Sequence, residues 1–381
     1  MIYVDNAATT PVSESALKAM LPYFSQEFGN PSSLYKAGRR AKKALETARE
    51  TVAECLNARP DEIFFTSGGS ESDNWAIKMS AKKGKENGKT HLITTEFEHH
   101  AVLHSIDSLK KEGFSSTMLS VHKNGIVQPD EVQAALRPDT ALVTIMTANN
   151  EIGTIQPIAQ IGAICRAAGV LFHTDAVQAA GILPLDVQAM NVDLLSLSAH
   201  KFHGPKGVGV LYIRKGSGIS SMLDGGAQER GMRAGTENVA GIVGLAAALK
   251  ESCEKQKENA SRLSRLRDQL IEGALKIPGS YLNGDPVQRL PGNVNLSFEN
   301  VEAQSLLLLL DQNGICASAG SACTAGSLEP SHVLRSIGLP PKLARGSLRL
   351  TLSYQNTEEE VNEILRILPT AIQKVRSLSS L

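Results

Sequence analysis

The sequence carries no excess charge of either sign: lysine plus arginine and aspartate plus glutamate number 39 each, a formal net charge of zero. That balance offers no global attraction to nucleic acid or an anionic membrane, and it points to a small-molecule or protein partner, although a local basic patch remains compatible with it. Apolar runs are short as well. Leu306 to Leu310 falls far below the roughly 20 residues that span a bilayer, so no membrane segment is expected. The opening Met1-Ile2-Tyr3-Val4-Asp5-Asn6 has no basic stretch followed by an apolar one, and no secretory signal is expected from it. Cysteine is scarce: positions 55, 165, 253, 316 and 323 are odd in number and scattered. They make no disulfide framework, and free thiols fit a reducing, cytoplasmic location. No internal repeat and no low-complexity tract is present.

What is present is a chain of 381 residues, 42% hydrophobic and 20% charged, long enough for a large domain and a smaller one. Short apolar stretches at 62–66, 91–95, 141–146, 170–174, 194–198 and 208–213 read as buried strands. Helical patterns such as Ile158 to Ala168 lie between them. This alternation predicts an α/β domain with a mostly parallel sheet covered by helices on both faces. Ligands on such sheets gather at the carboxyl ends of strands. After Gly241 the pattern reads as helical to about Lys276. Strand patterns follow at 293–298 and 347–353, and Thr357 with Glu358, Glu359 and Glu360 reads as a helix start.

Three local patterns fall at strand ends. In Ser198-Ala199-His200-Lys201-Phe202-His203-Gly204-Pro205, a lysine just past a buried strand is placed for partial desolvation, which lowers an amine pKa toward Schiff-base chemistry. A surface lysine at a turn is the ordinary alternative. In His173-Thr174-Asp175-Ala176-Val177-Gln178, the carboxylate could pair with a pyridine nitrogen or simply cap a helix. In Thr66-Ser67-Gly68-Gly69-Ser70-Glu71-Ser72, two glycines precede a helix beginning near Ser70, a place where backbone N–H groups attract phosphate. The turn lacks the spacing of a P-loop or a dinucleotide fingerprint. Phosphate, pyridinium partner and Schiff-base lysine converge on one chemistry. A fourth pattern, Cys316 to Ser327, is rich in small residues and glycine. Cys323 within it reads either as a nucleophile able to travel or as an incidental thiol in a linker, whereas Cys165 and Cys316 read as packed. His100 and His104 share a helix face, but no zinc-protease glutamate lies between them and Cys316 and Cys323 are too far apart for a knuckle, so no metal site is expected.

The chain resembles the cysteine desulfurases of the NifS/IscS type, fold-type-I pyridoxal-phosphate enzymes, over essentially its whole length. The resemblance is carried by residues 4–10 (Val-Asp-Asn-Ala-Ala-Thr-Thr), 28–33, 320–324 and 327–332 together with the patterns above. It implies a large domain over 11–258 with a seven-stranded, mostly parallel sheet, and a smaller α+β domain over 259–381 with 1–10. It implies that Lys201 binds pyridoxal 5′-phosphate covalently, Asp175 pairs with its pyridine nitrogen, Gln178 and Asn150 touch its ring oxygen, and His99 stacks on the ring and relays protons. Gly69, Ser70, Ser198 and His200 would hold the phosphate. Thr236 would reach the phosphate of a neighbouring subunit, which implies a homodimer. Arg349 and Asn30 would meet the carboxylate of the cysteine substrate, and Cys323 would take its sulfur as a persulfide. Iron–sulfur scaffold proteins and tRNA-thiolating enzymes are the acceptors the resemblance suggests. Two positions depart from the usual pattern: Ser70 replaces a frequent threonine but keeps the hydroxyl, and Ala319 stands where serine is usual.

Overall fold

A computed structural model describes residues 1–320 and 330–379; Cys323 therefore lies outside the described residues. The main sheet is built from β1 (Ile63–Thr66), β2 (His91–Thr95), β3 (Ser115–Leu119), β4 (Thr140–Thr144), β5 (Leu171–Asp175), β6 (Leu194–Ser198) and β7 (Gly209–Ile213), in the spatial order β1-β7-β6-β5-β4-β2-β3. β7 runs antiparallel to both of its neighbours, and the other pairings are parallel. The expected mostly parallel, helix-flanked sheet is thus the observed one.

Period-two alternation sorts the strand side chains onto two faces. Phe65, Ile93, Val143, Phe172, Leu195 and Val210 enter one core cluster, while their chain neighbours Phe64, Leu92, Leu142, Leu194 and Leu211 enter another. Both faces are covered, which is why these strands read as continuous apolar runs. β3 was not legible as a strand. It is an edge strand, Ser-Ser-Thr-Met-Leu, with only Leu119 fully buried, so no apolar run marks it.

Beyond the main sheet, the helical stretch expected from Gly241 to Lys276 is two helices, Val239–Glu254 and Gln256–Ala274, broken at Lys255. An antiparallel three-stranded sheet follows: β8 (Ser280–Leu282), β9 (Asn293–Phe298) and β10 (Ser347–Thr351), with β9 central. Its apolar cluster joins Val4 to residues from Leu263 to Val375. Val333, Leu334, Ile337 and Ala344 pack instead on the main core. The chain start is stitched into the second sheet, since Thr351 N donates to Val4 O at 2.7 Å and Asn6 Nδ2 donates to Thr351 O at 2.8 Å. This brings residues 5–9 over the carboxyl ends of the main strands. Cys316, expected to be packed, is only half-buried on a two-residue strand, whereas Cys165 is buried. None of the described helices is long and apolar enough to cross a membrane.

Candidate active site

Four strands of the main sheet end at one place. β1 runs through Thr66 and Ser67 into Gly68, whose φ of 154° falls where glycine is favoured, and the helix Gly69–Glu86 begins at once. The turn lies directly against β7: a Cβ at Gly209 would stand 2.7 Å from Gly68 Cα. β2 ends at Thr95 and leads to His99, which caps the helix His100–Lys111 by accepting from Ala101 N at 3.1 Å. β5 ends on Asp175 itself, and β6 delivers Ser198, His200 and Lys201.

These ends enclose a cleft of about 220 Å³. Gly69, Ser70, His99, Asn150, Asp175, Gln178, Ser198, His200, Lys201 and Arg349 all line it. The structure therefore brings together residues spread over 281 positions of sequence (349 − 69 + 1). Asn30 and Thr236 are not among its lining. Both are exposed, Asn30 holding Ser32 N at 2.9 Å through its own side chain.

The charges in the cleft are set by burial. Lys201 Nζ donates to the carbonyl oxygens of Ala7 and Ala8, the latter at 2.8 Å, so the segment from the chain start closes over the amine. Asp175 is held by Val177 N at 2.9 Å, and desolvation pushes its carboxyl up to about 6. Desolvation also pulls His99 and His200 down to about 4, with the charge of Lys201 acting in the same direction, so both imidazoles are neutral at neutral pH. Because His99 Nδ1 accepts from the helix, its remaining proton sits on Nε2. Arg349 is buried; Nη1 donates to Asn150 O at 2.9 Å and Nη2 to Asp5 Oδ1 at 2.8 Å, while its buried Nε has no hydrogen-bond partner among the described residues.

Three further residues of the site carry no signal in the sequence. Asp73 lies on the buried face of the helix that starts at Gly69, with a ligand atom within 4.8 Å of those of both His99 and Asp175. Desolvation and the neighbouring Asp175 raise its carboxyl well above the usual range. Glu98 is fully buried, accepts from Met146 N at 3.1 Å and Thr95 Oγ1 at 2.9 Å, and is pushed up to about 8 by desolvation. Asp5 is the carboxylate that orients Arg349. Asp73 and Glu98 differ from surface acids only in their burial, and Asp5, which is half-buried, only in its bond to Arg349.

The cleft fits a pyridoxal phosphate. A Cβ on Gly69 would stand 2.8 Å from Val177 Cγ2, so only a bare backbone leaves the helix N-terminus open to an anion. Asp175, a desolvated acid, is one that a cationic ring nitrogen would relieve, and a lysine amine stands at the same cleft.

Comparison with known proteins agrees with this geometry. The aminotransferase class-V family model matches residues 2–364. The cysteine desulfurase IscS of Methanosarcina thermophila is 55% identical over 380 residues, covering 100% of this chain and 94% of its own. A solved NifS-like protein superimposes with a TM-score of 0.91 at 39% identity, covering 100% of this chain and 99% of the other. A structure of SspA in complex with cysteine does so with a TM-score of 0.83 at 38% identity, covering 94% and 100%.

Proposed function

Because the chain belongs to the aminotransferase class-V family, we propose that it is a pyridoxal-phosphate-dependent cysteine desulfurase, converting L-cysteine to L-alanine and placing the sulfur on Cys323. The observation that carries this reading is the single cleft in which Lys201, Asp175, His99 and Arg349 meet. Bound there, the cofactor would supply an electron sink that loosens bonds at the substrate's α and β carbons.

The chain's own residues supply the rest. Lys201 would anchor the cofactor's aldehyde and, as an amine at the reacting centre, would move protons between the substrate carbons. Asp175 would keep the ring nitrogen protonated. The first turn of the helix Gly69–Glu86, with Ser70, Ser198 and His200, would hold the phosphate, and Gln178 and Asn150 would meet the ring oxygen. Neutral His99 would stack on the ring with a transferable proton on Nε2. Arg349, already oriented by Asp5, would meet the substrate carboxylate through its guanidinium, and Asn30 would join it there. The thiolate of Cys323 attacks the substrate sulfur: the S–S bond forms as the Cβ–S bond breaks, the electron pair stays on carbon, and a proton completes alanine. The persulfide then passes to an iron–sulfur scaffold or a tRNA-thiolating enzyme.

A homodimer completes the site in this reading. Thr236 faces solvent on its own chain, yet Arg233 three residues earlier is paired with Glu71 in the first helical turn at 2.8 Å. The loop therefore starts beside the phosphate end of the cleft and can serve a neighbouring copy. Phe24, Phe28, Leu34 and Tyr35, each more than 60% exposed, give an apolar surface for such a copy to cover. The location that fits free thiols is the cytoplasm.

The test is turnover with the loaded protein. Wild type is expected to release alanine from cysteine. Cys323→Ser should retain the cofactor's absorbance yet lose persulfide formation, and Lys201→Ala should lose the absorbance of the covalently held cofactor. A Cys323→Ser protein that turns over at the wild-type rate overturns the role of Cys323, and an unchanged Lys201→Ala spectrum overturns that of Lys201.

A further inference from the structure

Outside the cleft, three histidines from distant parts of the chain meet at the surface. His100 and His104 stand one turn apart on the helix His100–Lys111, and His332 opens the helix His332–Ser336. The rings of His100 and His104 lie 5.2 Å apart between centroids, and those of His100 and His332 lie 4.6 Å apart. All three border an open cleft of about 530 Å³, distinct from the one that holds Lys201.

We propose that His100, His104 and His332 form a binding site for a divalent transition-metal ion of the zinc type. The spacing carries the argument. Zinc–imidazole bonds are about 2.0–2.1 Å, so with each ring centre roughly 1.1 Å behind its nitrogen, two tetrahedrally placed ligands have centroids about 5.2 Å apart. The His100–His104 pair already has that separation, and the His100–His332 pair, at 4.6 Å, needs to open by about 0.6 Å. Histidines at i and i+4 of a helix are natural partners on one ion.

Two further features suit a metal. His332 Nε2 lies 2.9 Å from the carbonyl oxygen of Glu98, so it donates its proton there and leaves Nδ1 as the lone-pair nitrogen. Metal-bound histidines characteristically hand their second N–H to a backbone carbonyl or carboxylate in this way. The cleft also holds Glu96 and Asp107, which offset Lys110 and Arg335 and leave the surroundings without a net repulsion for a cation. Ion binding asks for one adjustment. Among the described residues, only Asp73, His99 and Asp175 bring three ligand atoms within 4.8 Å of one another as they stand, and those belong to the main cleft. Turning a ring about its Cβ–Cγ bond re-aims its nitrogens while the ring centre, which lies close to that axis, keeps its place, and exposed His104 is free to turn in this way.

The test is titration of the cofactor-loaded, metal-stripped protein, with Zn²⁺ followed by calorimetry and Co²⁺ by visible absorption. One ion per chain should bind in the micromolar range. His104→Ala and His332→Ala should each weaken binding at least about tenfold, since loss of even an outer-sphere partner costs about 10- to 100-fold. Cofactor absorbance verifies the fold of each variant, and exposed His104 is the safer position. Cys323→Ser separates this site from thiolate ligation: it should bind Zn²⁺ like wild type, and the Co²⁺ complex should show no sulfur-to-metal charge-transfer band. No saturable binding up to millimolar Zn²⁺, unchanged binding in His104→Ala, or binding lost in Cys323→Ser would each overturn the proposal.

Discussion

Replacing Glu229 with glutamine is expected to destabilise the protein by about 3–5 kcal/mol, the range for a buried charge left without its partner. Glu229 receives Arg49 Nη1 and Nη2 at 2.8 Å each, and its Oε2 also accepts from Phe65 N at 2.8 Å. Both side chains of the pair are 2% exposed. Arg49 further donates to Ile63 O at 2.8 Å, and its guanidinium lies 4.8 Å from the centre of the Phe65 ring. Glutamine keeps the shape but removes the charge and turns an amide N–H toward the guanidinium. Arg49 then retains Glu46 at 3.3 Å, a carboxylate that is 42% exposed and therefore screened by water. The magnitude thus stays in the range for an unpaired charge instead of the fraction of a kcal/mol typical of a surface pair. Equilibrium denaturant unfolding of the cofactor-free protein reads the loss. A double variant, Arg49→Met with Glu229→Met, should recover much of it, because neither charge is then buried. A loss under about 1 kcal/mol, or a double variant no more stable than Glu229→Gln, refutes the reasoning. The consequence reaches the site, since this pair ties the loop that carries Arg233 and Thr236 to β1, whose end forms the glycine turn.

The acid at Asp175 makes cofactor loading dependent on pH. Its pKa of about 6 in the cofactor-free protein lies above the unfolded value of about 3.9, so the folded state binds more protons between those values. Stability of the cofactor-free protein should accordingly fall as pH rises from about 4 to 6. Cofactor affinity should rise over the same window, because the ring nitrogen needs the ionised acid. Asp175→Asn should make both dependences shallower, with Glu98, pushed up to about 8, keeping part of the fall in stability. The cofactor's phosphate titrates alike in both proteins, so an identical slope in the variant refutes the assignment. Arg349→Lys should raise the KM for cysteine about 10- to 100-fold, the equivalent of losing one or two charge-assisted bonds worth roughly 1.5–3 kcal/mol. Steady-state kinetics read this, and an unchanged KM would place the substrate carboxylate elsewhere.

Much of the site was legible because strand ends are local features. Asp175 closes an apolar run, Lys201 follows another, and the two glycines interrupt a third, so each could be placed at the carboxyl edge of the sheet before any pairing was known. What escaped depends on tertiary burial. Asp73 reads as one more polar residue of a helix, and only the packing of that helix across the strands turns its carboxyl inward. Asp5 and Arg349 are 344 residues apart, and their bond exists because the chain start is stitched to β10. The helix break at Lys255 leaves no glycine or proline as a signal, and β3, at the sheet edge, is too polar to announce itself. Thr236 and Asn30 came from resemblance alone, and a single chain leaves both at the surface.

The acids around the cleft also explain why one of them is suited to a cationic ring. Glu98 spends its oxygens on Met146 N and Thr95 Oγ1, and it is buried behind the cleft. Asp73 turns toward a fully buried polar row in which His173 bridges Thr144 Oγ1 at 2.8 Å and Ser196 Oγ at 2.9 Å, and His173 Nε2 lies 3.6 Å from Asp73 Oδ1. Desolvation holds that histidine down at about 3, so it brings no positive charge to Asp73. Asp175 holds its proton less tightly than Glu98, about 6 against about 8, because Val177 N and the charge of Lys201 both favour its ionised form. Glu98, held neutral by burial, gives it a weakly polar neighbour instead of a competing charge. A cation arriving in the cleft therefore finds Asp175 ready to ionise beside a Glu98 that stays protonated. Removing water around that single ion pair strengthens it relative to a solvent-exposed pair.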